Sequence, residues 1–236
     1  MGLPNQFNDI IKKHLNVYAA WLPVTNNFKI GDYGIFSDGV FIKMGNISEF
    51  NVSFNEATGP DAKLDFTSTD TKVIRFAAGA EVDVIPAGSI DAKITFKFSR
   101  ERSFLIKIPI LKVHEIQNIQ QVANQLKTVT GWQKKWKVVF QTYDAKEPVI
   151  ISTIAAGTEL TFGGDVNALR ELKLGSADVE FGSTKELGLN IQGKEGIVGL
   201  GLFKLNLLGG GINILSDDEK QGEASVSILS PEDTDL

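Results

Sequence analysis

From Lys93 to Ile110 the chain alternates apolar and polar residues. Ile94, Phe96 and Phe98 stand against Lys93, Thr95, Lys97 and Ser99, and Phe104, Ile106 and Ile108 follow an Arg100-Glu101-Arg102 break. Successive side chains of a strand point to opposite faces, so a period of two fixes a pleated ribbon with one apolar face. The spacing predicts a hairpin over residues 90–110. Its second face is cationic through Lys93, Lys97, Arg100 and Arg102. Upstream, "KLDFTS", "TKVIRFAAG" and "AEVDVIPAG" repeat the pattern between glycine, proline or polar breaks, as a β-meander would.

The same patterning extends outward. Asp38-Gly39, flanked by "YGIF" and "VFIKM", has the composition of a tight two-residue hairpin turn. After residue 136, "WKVVFQTY", "PVIISTIAA", "TELTFGG", "ADVEFGS", "ELGLNIQG" and a glycine-spaced run from Ile197 read as strands, and "DVNALRELKL" as one helical turn. Two segments have helical spacing instead. "NQFNDIIKKHL" places Phe7, Ile10, Ile11 and Leu15 on one stripe. "HEIQNIQQVANQLKTVTG" does so with Ile116, Ile119, Val122, Leu126 and Val129, and Gly131 supplies the stop. The expected fold is therefore β-rich α+β: mostly antiparallel sheet, as a sandwich or a strongly twisted sheet, with one N-terminal and one central amphipathic helix. Residues 1–215 read as a single globular domain and residues 216–236 as an acidic tail, within which "SVSIL" has the composition of one more strand.

Composition narrows the chemistry. There are no cysteines, which removes disulfides, thiolate catalysis and cluster ligation, and suits a reducing, cytoplasmic setting. His14 and His114 lie far apart in sequence, so a histidine-based metal site is not expected. Net charge is -5, but residues 217–236 alone carry seven acids against Lys220. The body is thus close to neutral, which argues against a nucleic-acid partner. The amino-terminal stretch lacks the cationic start and apolar run of a secretory leader.

Motifs that invite a catalytic or cofactor reading fail on context. "GLNIQGKE", Gly188 to Glu195, matches a phosphate-binding loop until Glu195 replaces the Ser or Thr that would hold Mg²⁺. Such a loop must open a helix, and "GIVGLG" follows instead. Gly209-Gly210-Gly211 lacks the strand–helix alternation of a dinucleotide fold. No cofactor is expected. Carboxylate pairs such as Glu159 with Asp165 would suit a hydrolase, but chains of this length offer many such pairs.

One cluster has more content. "GWQKKWKVVF" interleaves Trp132 and Trp136 with Lys134, Lys135 and Lys137, a mixture favoured at lipid headgroups and at partner surfaces. Read as a strand, it puts Trp132, Lys134 and Trp136 on one side, with Lys135 and Lys137 on the other. The leading reading is a non-catalytic protein acting by binding or self-assembly. The alternative is a membrane-active, pore-forming effector that uses the 90–110 hairpin and the Trp/Lys segment, with the acidic tail as an inhibitory cap. In layout alone this resembles gasdermin-like pore formers; no motif in the chain is specific to them. A carboxylate-based hydrolase is the third reading.

Overall fold

In the computed structural model, residues 2–37, 39–176, 178–181, 187–206 and 225–228 are described. In chain order the elements are α1 (Leu3–Leu15), β1 (Tyr18–Ala19), β2 (Asp32–Ser37), β3 (Val40–Asn46), a 3₁₀ turn (Ile47–Phe50), β4 (Glu56–Thr58), β5 (Ala62–Thr67), β6 (Thr71–Ala77), β7 (Ala80–Val82), β8 (Lys93–Phe98) and β9 (Phe104–Ile116). There follow α2 (Ile119–Lys127), β10 (Lys137–Lys146), β11 (Val149–Thr153), β12 (Glu159–Gly164), α3 (Val166–Arg170), β13 (Val179–Phe181), β14 (Leu187–Gln192), β15 (Glu195–Asn206) and β16 (Ser225–Ile228). The fold is β-rich α+β with antiparallel strand pairing and few helices. The chain divides into two compact units. Unit 1 comprises residues 1–60, 112–144 and 197–236; unit 2 comprises residues 61–111 and 145–196.

Unit 1 begins with α1. Pro4 sits in its first turn, and Lys12, Lys13 and His14 in its last turn suit the negative end of the helix dipole. Asn16 ends it in a left-handed conformation, returning its N–H to the Lys12 carbonyl. Phe7 and Ile11 are buried, and the Asn8 side chain accepts a 2.9 Å bond from the Ala19 amide of β1. β2 and β3 form the expected hairpin, closing at Ser37 opposite Val40 with Gly39 at φ +75°. Asp38 lies outside the described residues.

The hairpin is pinned at its open end by Asp32, which is fully buried. Its carboxylate accepts from the Lys29 amide at 2.8 Å and from Asn46 Nδ2 at 2.9 Å, and pairs with Lys43 at 2.8 Å. A buried carboxylate is tolerable only when so satisfied. Asn46 in turn caps the 3₁₀ turn, reciprocally with Glu49.

The central helix is shorter than its periodicity suggested. His114, Glu115 and Ile116 belong to β9, where Glu56–Thr58 pair with them, and α2 starts only at Ile119. Ile116 fits an apolar stripe of either period, and the available strand partner decides. Val122, Ala123 and Leu126 of α2 are buried in a core with Tyr33, Trp136, Val138 and Phe203.

β15 explains the glycine-spaced run. Val198, Leu200, Leu202 and Phe203 are fully buried. A Cβ on Gly201 would lie 2.8 Å from Gln141 Cβ, and one on Gly199 would lie 3.1 Å from Val17 Cγ2. These glycines let neighbouring elements approach closely.

Unit 2 is a sandwich. One sheet runs β13-β12-β8-β6-β7; the other contains β5, β9, β11 and β14 in that order. Ile94, Phe96 and Phe98 of β8 and Leu160 and Phe162 of β12 pack with Leu105 of β9 and Val149 and Ile151 of β11. β8 and β9 therefore do not form the predicted hairpin. β8 pairs with β6 and β12, while β9 pairs with β5 and β11. The break at residues 99–103 carries the chain from one sheet to the other: the Arg102 amide bonds the Thr153 carbonyl, and Ser103 and Thr153 bond each other. Consistent with a sandwich, the β8 apolar face is inside rather than presented outward.

"GLNIQGKE" lies in β14, a turn and the start of β15. Strand, not helix, follows its lysine, so no row of helix-terminal amides is present to receive a phosphate. Gly209–Gly211 lie outside the described residues.

Phe96 meets Phe162 edge-on at 5.8 Å between ring centroids, with both rings buried. Phe96→Ala is expected to destabilise the protein by about 3–5 kcal/mol, read as a lowered urea midpoint. A loss below about 1 kcal/mol would mean that this ring is not the centre of the sandwich.

Candidate functional site

The residues singled out by sequence fall into two sets. In unit 2, Lys93, Arg100 and Arg102 are exposed and Lys97 is half-buried. Two of these cations have carboxylate partners: Lys97 pairs with Glu159 at 2.5 Å and Arg100 with Asp70 at 2.6 Å. In unit 1, Trp132 is half-buried, Lys134 and Lys135 are exposed, and Lys137 is buried with its ammonium 5.5 Å from the Phe36 ring centroid. β10 begins only at Lys137, so residues 132–136 form an irregular segment rather than a strand with two faces. Trp132 packs inward while its near neighbours Lys134 and Lys135 face solvent.

This segment caps an aromatic cluster. Trp132 meets Trp136 at 5.1 Å with the rings nearly perpendicular, and Tyr33 meets Trp136 at 4.8 Å and Trp132 at 5.6 Å. Phe50 closes on Trp132 at 5.8 Å. Both indole Nε1 groups are buried without a hydrogen-bond partner among the described residues. Ring faces are weak acceptors, so the two donors carry an uncompensated desolvation cost. Lys134 and Lys135 make no ion pair among the described residues. The segment is therefore cationic outside and rich in unsatisfied donors beneath. Tyr33 was not found from sequence, because its contacts with the tryptophans join residues about a hundred positions apart.

The second feature is the strand supplied by the acidic segment. β16 pairs antiparallel with β15: Phe203 opposite Ile228, Lys204 opposite Ser227, Leu205 opposite Val226 and Asn206 opposite Ser225. β1 pairs with the same strand further back, Tyr18 opposite Leu200 and Ala19 opposite Gly199. β15 thus receives partners from both the amino-terminal and the carboxy-terminal stretches of the sequence, and β16 also runs close to α2. The alternation of Phe203 and Leu205 is the sequence signal that marks this end of β15 as strand.

Among the described residues no group of three or more histidines, cysteines or acids is placed to hold a metal ion, and no helix is long and apolar enough to cross a membrane. No protein-family model matches the chain, and no curated protein matches it in sequence. Among solved structures, the chain is similar to a bacterial gasdermin from Bradyrhizobium tropiciagri, with 14% identity and a TM-score of 0.39 over 95% of this chain and 93% of that one. At that identity and TM-score neither fold nor function carries across.

The Tyr33 phenol is held above its ordinary pKa, first by burial, then by the nearby Glu49 charge and the hydrogen bond it gives Glu49. Burial, then Glu115, raises Tyr143 in the same direction. Raised values mean that the folded state favours the neutral phenols. Their contribution is fully present below the unfolded value of 10.0 and is lost as pH rises through the folded values. Melting temperature is expected to fall above about pH 10, and less steeply in Tyr33→Phe and Tyr143→Phe combined. An unchanged alkaline slope in the double variant would place the titrating groups elsewhere.

Proposed function

We propose that this is a non-catalytic protein that acts by self-assembly at a membrane surface, and that its acidic carboxy-terminal segment restrains assembly by occupying a strand edge. The observation that carries this reading is the pairing of β16 with Phe203–Asn206 of β15. A strand end whose core-facing residues are buried presents a ready template for pairing once its neighbour leaves. The four described residues of β16 fall short of the commonest strand length of about 5–6.

The membrane is favoured as the target by the Trp132–Trp136 segment. Lys134 and Lys135, exposed and without an ion pair among the described residues, above half-buried Trp132 and buried Trp136 are the kind of residues that settle at an anionic lipid surface. The acidic segment, net -6 over residues 217–236, has the sign to compete for those lysines. Pore formation is the finer form of the reading. β9, β10 and β15 have 13, 10 and 12 residues, against the 9–11 or so that a tilted strand needs to cross a bilayer. Strands buried on both faces would have to leave their cores to do so.

The test compares the full chain, a chain ending at Ser216, and Val226→Pro. The proline disfavours strand geometry in β16 while leaving the acidic charge in place. Light scattering after size exclusion reads assembly, and dye release reads membrane action on vesicles with and without anionic lipid. Both altered forms are expected to shift to larger species and to release dye from anionic vesicles well beyond the full chain. Assembly without leakage would retain the edge and remove the membrane. Altered forms that neither assemble nor leak would remove the whole reading.

A further inference from the structure

Unit 2 contains a lysine where a sandwich strand should carry an apolar residue. Leu105 and Lys107 alternate onto the inner face of β9, and Lys107 is only 6% exposed. Its ammonium lies 5.8 Å from the Phe96 ring centroid and pairs with Asp65, the residue directly opposite on β5. Asp65 is 43% exposed, so the buried cation is joined to solvent through its partner. Holding an ammonium in a core is costly without a compensating gain.

The pair opens into a cleft of about 380 Å³, lined also by Lys63, Ile108, Pro109, Arg170 and Leu172. Two acids reach this cleft, and each has a cation. Asp65 holds Lys107, and Glu171 pairs with Lys173 at 2.7 Å. Lys63 and Arg170 make no ion pair among the described residues. Lys63, Lys107 and Arg170 line the cleft against Asp65 and Glu171, whose charge Arg170 also offsets, so the cleft carries a net charge of +1, set against apolar walls from Leu64, Ile108, Pro109 and Leu172. An arginine fork beside lysine ammonium groups matches the oxygens of a phosphate. The volume falls in the range of small-molecule sites and exceeds what a bare phosphate would fill.

We propose that this cleft binds a phosphate monoester of sugar-phosphate or nucleoside-monophosphate size, with Arg170 and Lys63 on the phosphate and Lys107 as the buried anchor of the site. The inference stands on unit 2 alone and does not depend on the assembly reading. Binding is tested on the full chain by calorimetry at low salt, with ribose 5-phosphate, adenosine monophosphate and inorganic phosphate as probes. A monoester is expected to bind with a dissociation constant on the order of 1 mM or tighter, and about tenfold more tightly than inorganic phosphate, because only the monoester reaches the apolar wall.

Arg170→Ala and Lys63→Ala, both at exposed positions, are each expected to weaken binding about tenfold. Lys72→Ala, an exposed charge change elsewhere in unit 2, is expected to leave it unchanged. Lys107→Met is expected to weaken binding while circular dichroism stays native; Asp65→Asn provides a second reading of the anchor if that variant does not fold. Absence of binding by every probe at about 10 mM would overturn the site. So would binding that Arg170→Ala and Lys63→Ala leave unchanged, or that Lys72→Ala weakens equally.

Discussion

A strand whose side chains are buried must have its backbone groups paired along its edges, because water cannot reach them. β15 carries this constraint furthest. Val198, Leu200, Leu202, Phe203 and Leu205 supply fully or nearly fully buried side chains, and its glycines admit close neighbours. β1 takes up residues 199 and 200, and β16 takes up residues 203–206. Neither partner is long. β10, the other neighbour of β15 in the sheet, has 10 residues, so only part of the pairing of β15 rests on short strands from the amino- and carboxy-terminal stretches.

Unit 2 meets the same constraint differently. β11 is buried at every position and is paired on both edges, by β9 and by β14. Its facing sheet is built on β8, also paired on both edges. The irregular feature is chemical rather than topological: the ammonium of Lys107 among phenylalanine and leucine. A fully apolar residue would pack there without an ion pair, so the position draws attention to the cleft it serves.

Strand content was legible from the sequence because alternation is local. Strand partnership was not. Ile94–Phe98 and Phe104–Ile108 alternate in the same way whether they face each other across a sandwich or lie side by side in a hairpin. The decision rests on what residues 99–103 bond, and they bond Thr153, fifty positions away. His114–Ile116 fit a helix by spacing because Ile116 satisfies either period, and only the β4 partner excludes that. Trp132, Lys134 and Trp136 have strand spacing, yet the irregular backbone before β10 turns the first inward and leaves the second in solvent. The Trp/Lys segment was thus visible as composition. Its orphaned indoles and the Tyr33 contact depend on long-range packing that no local pattern encodes.

The placement of β16 also bears on biosynthesis. The ribosome makes β15 well before it makes the four residues that complete its far end. A product ending between the two would have the buried residues of β15 beside an unfinished edge, a state in which chains can pair wrongly. A premature stop codon in that interval would yield such a product.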